Sequence, residues 1–212
     1  IQSYVLKNSK KVFFVSEYMF NNLNSKYQDE LQNRIVQILG PIIDISQFHL
    51  TSINSGKNNG VIIRRLVPRT GVLDLLIKLQ EAKLSIDIDI IGVGNQIHEI
   101  RKLSKTAISN VFIRGKLSDK DRNKFFTNSI VCILPSISLE GFGLVILEAI
   151  HFGCIPIVSN MAGGGKDWLK KYDENLIYDG SIKDLNRAIK YARKNYFYLI
   201  KILRKEINKY NP

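Results

Sequence analysis

The stretch L-P-S-I-S-L-E-G-F-G-L-V-I-L-E (134–148) carries the residues best placed by type and spacing to do chemistry. Its two carboxylates, Glu140 and Glu148, stand eight positions apart with Gly141, Phe142 and Gly143 between them. An apolar run ends at Leu134, a small-residue loop follows, and a helical pattern begins near Leu144. Glycine lets backbone approach a ligand closely, and a helix start points free N–H groups at an anion. Carboxylates are poor partners for phosphate but good acceptors for hydroxyl groups. A loop offering both kinds of group suits a ligand that is part phosphate and part sugar. A plainer reading stands beside it, with Glu140 a solubilising loop residue and Glu148 an exposed helix residue.

Other motifs say less. Asp87-Ile88-Asp89 spells D-x-D, a pattern that binds metal where it emerges at the carboxyl end of a strand. Here it precedes Ile90-Ile91-Gly92 and falls at the entry end, so no metal follows from it. Gly92-x-Gly94 has Ile97 where a dinucleotide fingerprint needs its third glycine, and reads as a tight strand-to-helix turn. Gly163-Gly164-Gly165, before Lys166, Asp167 and Trp168, reads as a flexible loop that either closes over a ligand or simply connects. Cys132 and Cys154 lie in apolar runs without C-x-x-C spacing and read as buried free thiols, which fits a reducing compartment. His49, His98 and His151 are isolated.

The elements that must position these residues alternate β-branched runs with amphipathic stretches, the pattern of repeated β-α units on a parallel sheet. Strands are expected at 60–65, 86–91, 110–113, 130–134 and 154–158. Helices are expected near 71–82, 95–105, 118–128, 144–152, 166–171 and 182–194. Ser118 and Ser181, each with an aspartate three residues on, are expected N-caps. Gly153 and then Pro156 should end the helix before them. Nearly unbroken apolar strands imply a sheet covered on both faces. The expected fold is α/β, a doubly wound parallel sheet from about 60 to 195. Upstream, 11–15 reads as a strand and 17–27 as a helix, the tail of a different unit over 1–50; the polar run 51–60 reads as a linker. From Asn195 a basic helix is expected, carrying Lys201, Arg204, Lys205 and Lys209.

With 212 residues, 45% of them hydrophobic and 24% charged, the composition is that of a globular protein. No run of eighteen apolar residues is present, and nothing after Ile1 reads as a secretory leader. An opening at Ile1 also suggests that upstream chain is missing. A net charge of +12 fits nucleic acid, an anionic membrane face or phosphorylated small molecules. Scattered basic residues, not interleaved with aromatics, argue against nucleic acid.

E-G-F-G-L-V-I-L-E followed by A-I-H-F-G-C-I-P-I-V resembles the signature of the family 4 retaining glycosyltransferases of GT-B fold, in which two glutamates flank an F-G pair. Further landmarks occur in the same order. V-S-E-Y (15–18) resembles the last strand-to-helix unit of the acceptor domain, and G-P-I-I-D-I-S-Q-F (40–48) the interdomain link N-G-V-D-x-x-x-F. R-R-L-V-P-R-T-G (64–71) resembles the G-R-L-x-x-x-K-G loop; I-G-V-G and V-F-I-R-G resemble the next two strand ends.

The resemblance implies the carboxy-terminal, donor-binding half of a Rossmann-like pair. It implies that Glu148 accepts from the donor ribose, that Glu140 lies beside the transferred sugar, and that Phe142, Gly143 and Leu144 contact sugar and diphosphate through backbone. Arg65 would grip the diphosphate, while Arg114, Gly115 and Lys116 hold the nucleobase. Thr70 stands where the family has lysine, so Arg69 is expected to make the second phosphate contact. The implied reaction moves a hexosyl unit from a nucleotide diphosphate-sugar to a sugar, lipid-linked glycan or polysaccharide with retention, without metal or other cofactor. The implied setting is the cytoplasm or the inner face of a membrane, and the basic terminal helix would either meet anionic lipid, present a solvated face or pack against the missing domain. This chain alone is expected to be inactive, because the acceptor site belongs mostly to the other half. A second reading is a non-catalytic nucleotide-sugar-binding module that pairs with another subunit.

Overall fold

A computed structural model describes residues 2–32, 34–41, 58–106, 110–138 and 140–208. The chain opens with α1 (Gln2–Asn8), β1 (Lys11–Phe14), α2 (Glu17–Asn24), α3 (Gln28–Leu31) and β2 (Ile35–Ile38). Strands β1 and β2 form a parallel pair of their own over a small core of Leu6, Phe14 and Leu31. The 40–48 motif and the 51–60 run lie outside the described residues from 42 to 57.

A second, six-stranded sheet follows. Its strands are β3 (Asn59–Ile63), β4 (Ile88–Ile91), β5 (Val111–Gly115), β6 (Ser129–Leu134), β7 (Ile155–Ser159) and β8 (Ile177–Tyr178). Every neighbouring pair is parallel, in the order β5-β4-β3-β6-β7-β8. Residues along β4, β6 and β7 are buried at every position, although successive side chains point to opposite faces. Helices therefore cover both faces, as the unbroken apolar runs require. The helices are α4 (Val72–Lys78), α5 (Ile97–Thr106), α6 (Asp119–Asn128), α7 (Val145–His151), α8 (Gly164–Lys170), α9 (Ile182–Lys194) and α10 (Tyr196–Ile207).

Helix starts follow the local chemistry. The Ser118 and Ser181 hydroxyls accept from the backbone N–H groups of Asp121 and Asp184, each at 3.2 Å, capping α6 and α9. Terminal helix α10 buries Tyr196, Leu199, Ile200, Leu203 and Ile207. Its Arg204 donates to the carbonyls of Ile150 (3.2 Å) and His151 (2.8 Å), satisfying the end of α7. One expected basic residue thus has a structural task.

Two differences from the sequence reading concern helix ends. The helix expected over 71–82 stops at Lys78, with a turn from Leu79. The glycine run, read from sequence as a loop, begins a helix instead. Gly164 and Gly165 open α8 and are buried against the Glu140–Phe142 loop. A Cβ on Gly164 would sit 2.2 Å from the Gly141 carbonyl oxygen, and one on Gly165 2.3 Å from that of Phe142. The glycines are there for close packing.

Candidate functional site

Strands β3 and β6 are neighbours at the point where the strand order reverses. In open parallel sheets the ligand crevice lies beyond the carboxyl ends of the strands at this place. The two loops leaving those ends meet. Nη2 of Arg64, one residue past β3, donates to a carboxylate oxygen of Glu140, six residues past β6. The two side chains are only 9% and 6% exposed. Nη1 of Arg64 is buried with no hydrogen-bond partner among the described residues. Burial, assisted by the positive charge of Arg69, lowers Arg64 to about 10, which leaves it a cation at neutral pH.

The loop after β3 is held to the loop after β6. Ile137 N–H donates to the Arg69 carbonyl at 3.2 Å. Thr70 is buried, and its single hydroxyl proton is shared between the carbonyls of Arg65 (2.9 Å) and Val67 (2.7 Å). The residue standing in place of the family's lysine therefore staples the loop from within. Arg65 and Arg69 are exposed at its surface. From the opposite side the β4–α5 turn presses in. A Cβ on Gly92 would lie 1.8 Å from the Arg64 carbonyl oxygen, and one on Gly94 2.0 Å from that of Leu66.

Glu148 lies just over one turn into the helical run from Leu144, with Nη2 of Arg122 at 3.5 Å. Burial raises its carboxyl above the ordinary range, Arg122 pulls it down and Asp119 pushes it up again. Phe142 is buried edge-on against Trp168, with ring centroids 5.9 Å apart. Gly143 takes a left-handed φ of 86° and turns the chain into α7, while Leu144 is exposed.

The Arg114 side chain is engaged by neighbouring strand and helix residues. Its Nε donates to Asp89 at 2.6 Å, and its guanidinium lies over the rings of Phe112 and Phe125. Asp89, the second acid of D-x-D, is buried in this pair, and Asp87 precedes β4. Among the described residues no three His, Cys, Asp or Glu side chains are grouped to hold a metal. Gly115 accepts at its carbonyl from Gly92 N–H at 2.8 Å, and Lys116 is exposed. Residues 114–116 stand at the carboxyl end of β5, two strands from β3.

The amino-terminal unit touches the same loop. Ser16 caps α2 by accepting from Met19 N–H (3.2 Å) and donates to the Gly141 carbonyl at 2.7 Å. A cavity of about 260 Å³ opens here, lined by Ser16, Tyr18, Pro41, Phe142, Gly164 and Trp168 among others.

Structure therefore brings Glu140, Phe142 and Gly143 together with Arg64 and sets Glu148 nearby on α7. Sequence reading missed Arg64 and Arg122. Arg64 stands where the G-R-L pattern has glycine, and that mismatch was the available signal. Arg122 occupies a position on α6 one turn before the buried Phe126, where an apolar residue is the rule.

Among individually curated proteins, none matches the chain. Solved structures match its fold at low identity. Sucrose-phosphate synthase from Thermosynechococcus elongatus aligns at 16% identity and a TM-score of 0.73, over 98% of this chain and 59% of that one. A TarM mutant of S. aureus, solved with fondaparinux, alpha-GlcNAc-glycerol and UDP, aligns at 19% and 0.73, over 99% and 43%. A glycosyltransferase from Rickettsia africae ESF-5 aligns at 17% and 0.69, over 98% and 65%. The chain thus spans roughly two fifths to two thirds of the length of these structures. A family profile described as "Glycosyl transferases group 1" matches residues 47–212. With most of its length in that match and the parallel, doubly wound sheet of a GT-B half, the chain belongs to the group 1 glycosyl transferases.

Proposed function

We propose that this chain binds a nucleotide diphosphate-sugar and contributes the donor half of a transferase that moves the sugar with retention of configuration. The observation that carries the reading is the position of Glu140 and Glu148. They flank the Phe142-Gly143 turn at the switch point of the sheet, with Arg64 paired to Glu140 and Arg69 close by.

In this reading Glu148 accepts from the ribose hydroxyls and Glu140 lies beside the transferred sugar. The backbone of Phe142, Gly143 and Leu144 approaches sugar and diphosphate, and the backbone of Arg114, Gly115 and Lys116 borders the base. As the bond from the anomeric carbon to the β-phosphate oxygen breaks, negative charge grows on the diphosphate. Arg65 and Arg69, cations carried by the loop after β3, lower the cost of that charge. A new bond forms from the anomeric carbon to the acceptor oxygen on the same face, and the acceptor proton passes to the departing phosphate oxygen. The acceptor, a sugar, lipid-linked glycan or polysaccharide, enters from the side of the cavity beside Ser16 and Trp168. No step in this scheme calls on a metal.

The test is to incubate the full-length protein with UDP-, GDP- and ADP-sugars and follow the anomeric proton of the product by NMR. Retention predicts the same anomeric configuration in donor and product. An inverted product contradicts the stereochemical assignment. Failure to release nucleotide from any donor in the presence of acceptor extracts contradicts the transfer reaction.

A further inference from the structure

Arg122 has a side chain at odds with its place. Helix α6 turns Phe126 inward, where it is fully buried and stacks on Phe152 with centroids 5.8 Å apart. Arg122 is one turn earlier on the same stripe, because residues four apart share a helix face. Its guanidinium is 22% exposed, and its Nε–H is buried with no hydrogen-bond partner among the described residues. The terminal nitrogens lean on two carboxylates: Nη1 lies 3.4 Å from Asp119, and Nη2 lies 3.5 Å from Glu148. Asp119 is 85% exposed, so that contact is worth little. Capping does not call for Arg122 either, since the Ser118 hydroxyl already receives the Asp121 N–H. What remains is Glu148, itself 20% exposed, reached from a neighbouring helix 26 positions away.

We propose that Arg122 is a positioning residue for the donor nucleotide, holding the Glu148 carboxylate ionised and turned to accept from the ribose hydroxyls. This rests on the reading of Glu148 as the ribose acceptor given above. A carboxyl group sunk this far takes up a proton more readily than one in water, and a protonated carboxyl loses acceptor capacity. Among the described residues, the charged and titratable groups that face Glu148 come from two elements. Helix α6 supplies Arg122, which favours the anion, and Asp119, which opposes it; β6 supplies the Cys132 thiol, which burial keeps protonated. Arg122 is the only cation in that set, so removing it leaves burial and Asp119 unopposed. The role is distinct from that of Arg65 and Arg69, which would act on the diphosphate.

The experiment compares wild type with Arg122→Leu, Arg122→Lys and Glu148→Ala. Leucine suits the apolar stripe, so the fold should survive, and thermal melting checks this. The Glu148 side-chain carboxyl is titrated by carbon-13 NMR without ligand, and UDP, GDP and ADP affinities are measured from pH 5 to 8. We expect Arg122→Leu to move the Glu148 titration to higher pH and to move the loss of nucleotide affinity on acidification with it. A displacement of one pH unit would appear as an affinity about tenfold weaker on the acid limb. Arg122→Lys should restore most of both. If Glu148→Ala loses nucleotide but Arg122→Leu keeps the wild-type titration and pH profile, this inference is overturned and the donor-site reading stands. If Glu148→Ala binds as wild type does, the donor-site reading fails and takes the inference with it.

Discussion

Arg64 and Glu140, 76 positions apart in the chain, form a buried ion pair where the loops after β3 and β6 converge. The contact joins the two halves of the sheet at the place where the strand order turns back. It also puts a fixed cation and a fixed anion side by side in the proposed sugar subsite.

Removing one partner leaves the other charged and dry. Arg64→Ala should cost about 3 kcal/mol of stability, as for other broken buried pairs. Glu140→Ala should cost a comparable amount, and the double variant clearly less than the sum, because the two act as a unit. Urea denaturation of the four proteins of this cycle checks it. Strict additivity would show that the pair does not couple in solution.

Glu148 makes the opposite kind of contribution. Its folded-state pKa is raised, chiefly by burial. A raised value means the folded state holds its proton more tightly than the unfolded chain. The stabilisation is therefore complete below the unfolded carboxyl range and is lost as pH rises through the folded value. Glu148→Gln keeps the neutral form at every pH. It should raise the melting temperature at pH 7 to 8, change little near pH 4, and weaken nucleotide binding at pH values where wild-type Glu148 is ionised. A melting temperature lowered at pH 8 would contradict this.

Cys132 and Cys154 are fully buried, and desolvation pushes the Cys132 thiol up to about 12. Only the thiolate is a good nucleophile. A thiol reagent at pH 8 should therefore find neither cysteine in the native protein and both in denaturant. Rapid labelling of the native protein would contradict the burial.

Gly164 packs against the hydrogen bond that Ser16 donates to the Gly141 carbonyl. A methyl group there would lie 2.2 Å from that oxygen and 2.6 Å from the Ser16 hydroxyl oxygen. Gly164→Ala should displace the Glu140–Phe142 loop and destabilise the protein by a few kcal/mol, on the order of an overpacked core. The Trp168 fluorescence should change with it, since Trp168 packs on Phe142. An unchanged melting temperature and spectrum would show that the loop has room to give.

Most of the main sheet was legible because its strands are apolar throughout and its helices carry a clear stripe. Helix α9 runs from Ile182 to Lys194, as its cap and periodicity indicate. Strand β8 escaped notice because two residues, Ile177 and Tyr178, are too few for a pattern. The small α1 and α3 and strand β2 have weak periodicity and take their order from packing on Phe14 and Leu31. At the site, glutamate spacing pointed to Glu140 and Glu148. Which of two adjacent arginines turns inward depends on the backbone after β3, and the sequence alone does not record that. Arg122 was hidden for a related reason: its partner lies on another helix.

Calorimetric titration with UDP, GDP and ADP is the sharpest test of the proposed role of Glu148 at the donor ribose. One of these nucleotides should bind wild type. Glu148→Ala should bind it roughly tenfold to a hundredfold more weakly, the loss expected for a charge-assisted hydrogen bond of about 1.5–3 kcal/mol. Equal affinity of wild type and Glu148→Ala for that nucleotide would contradict it.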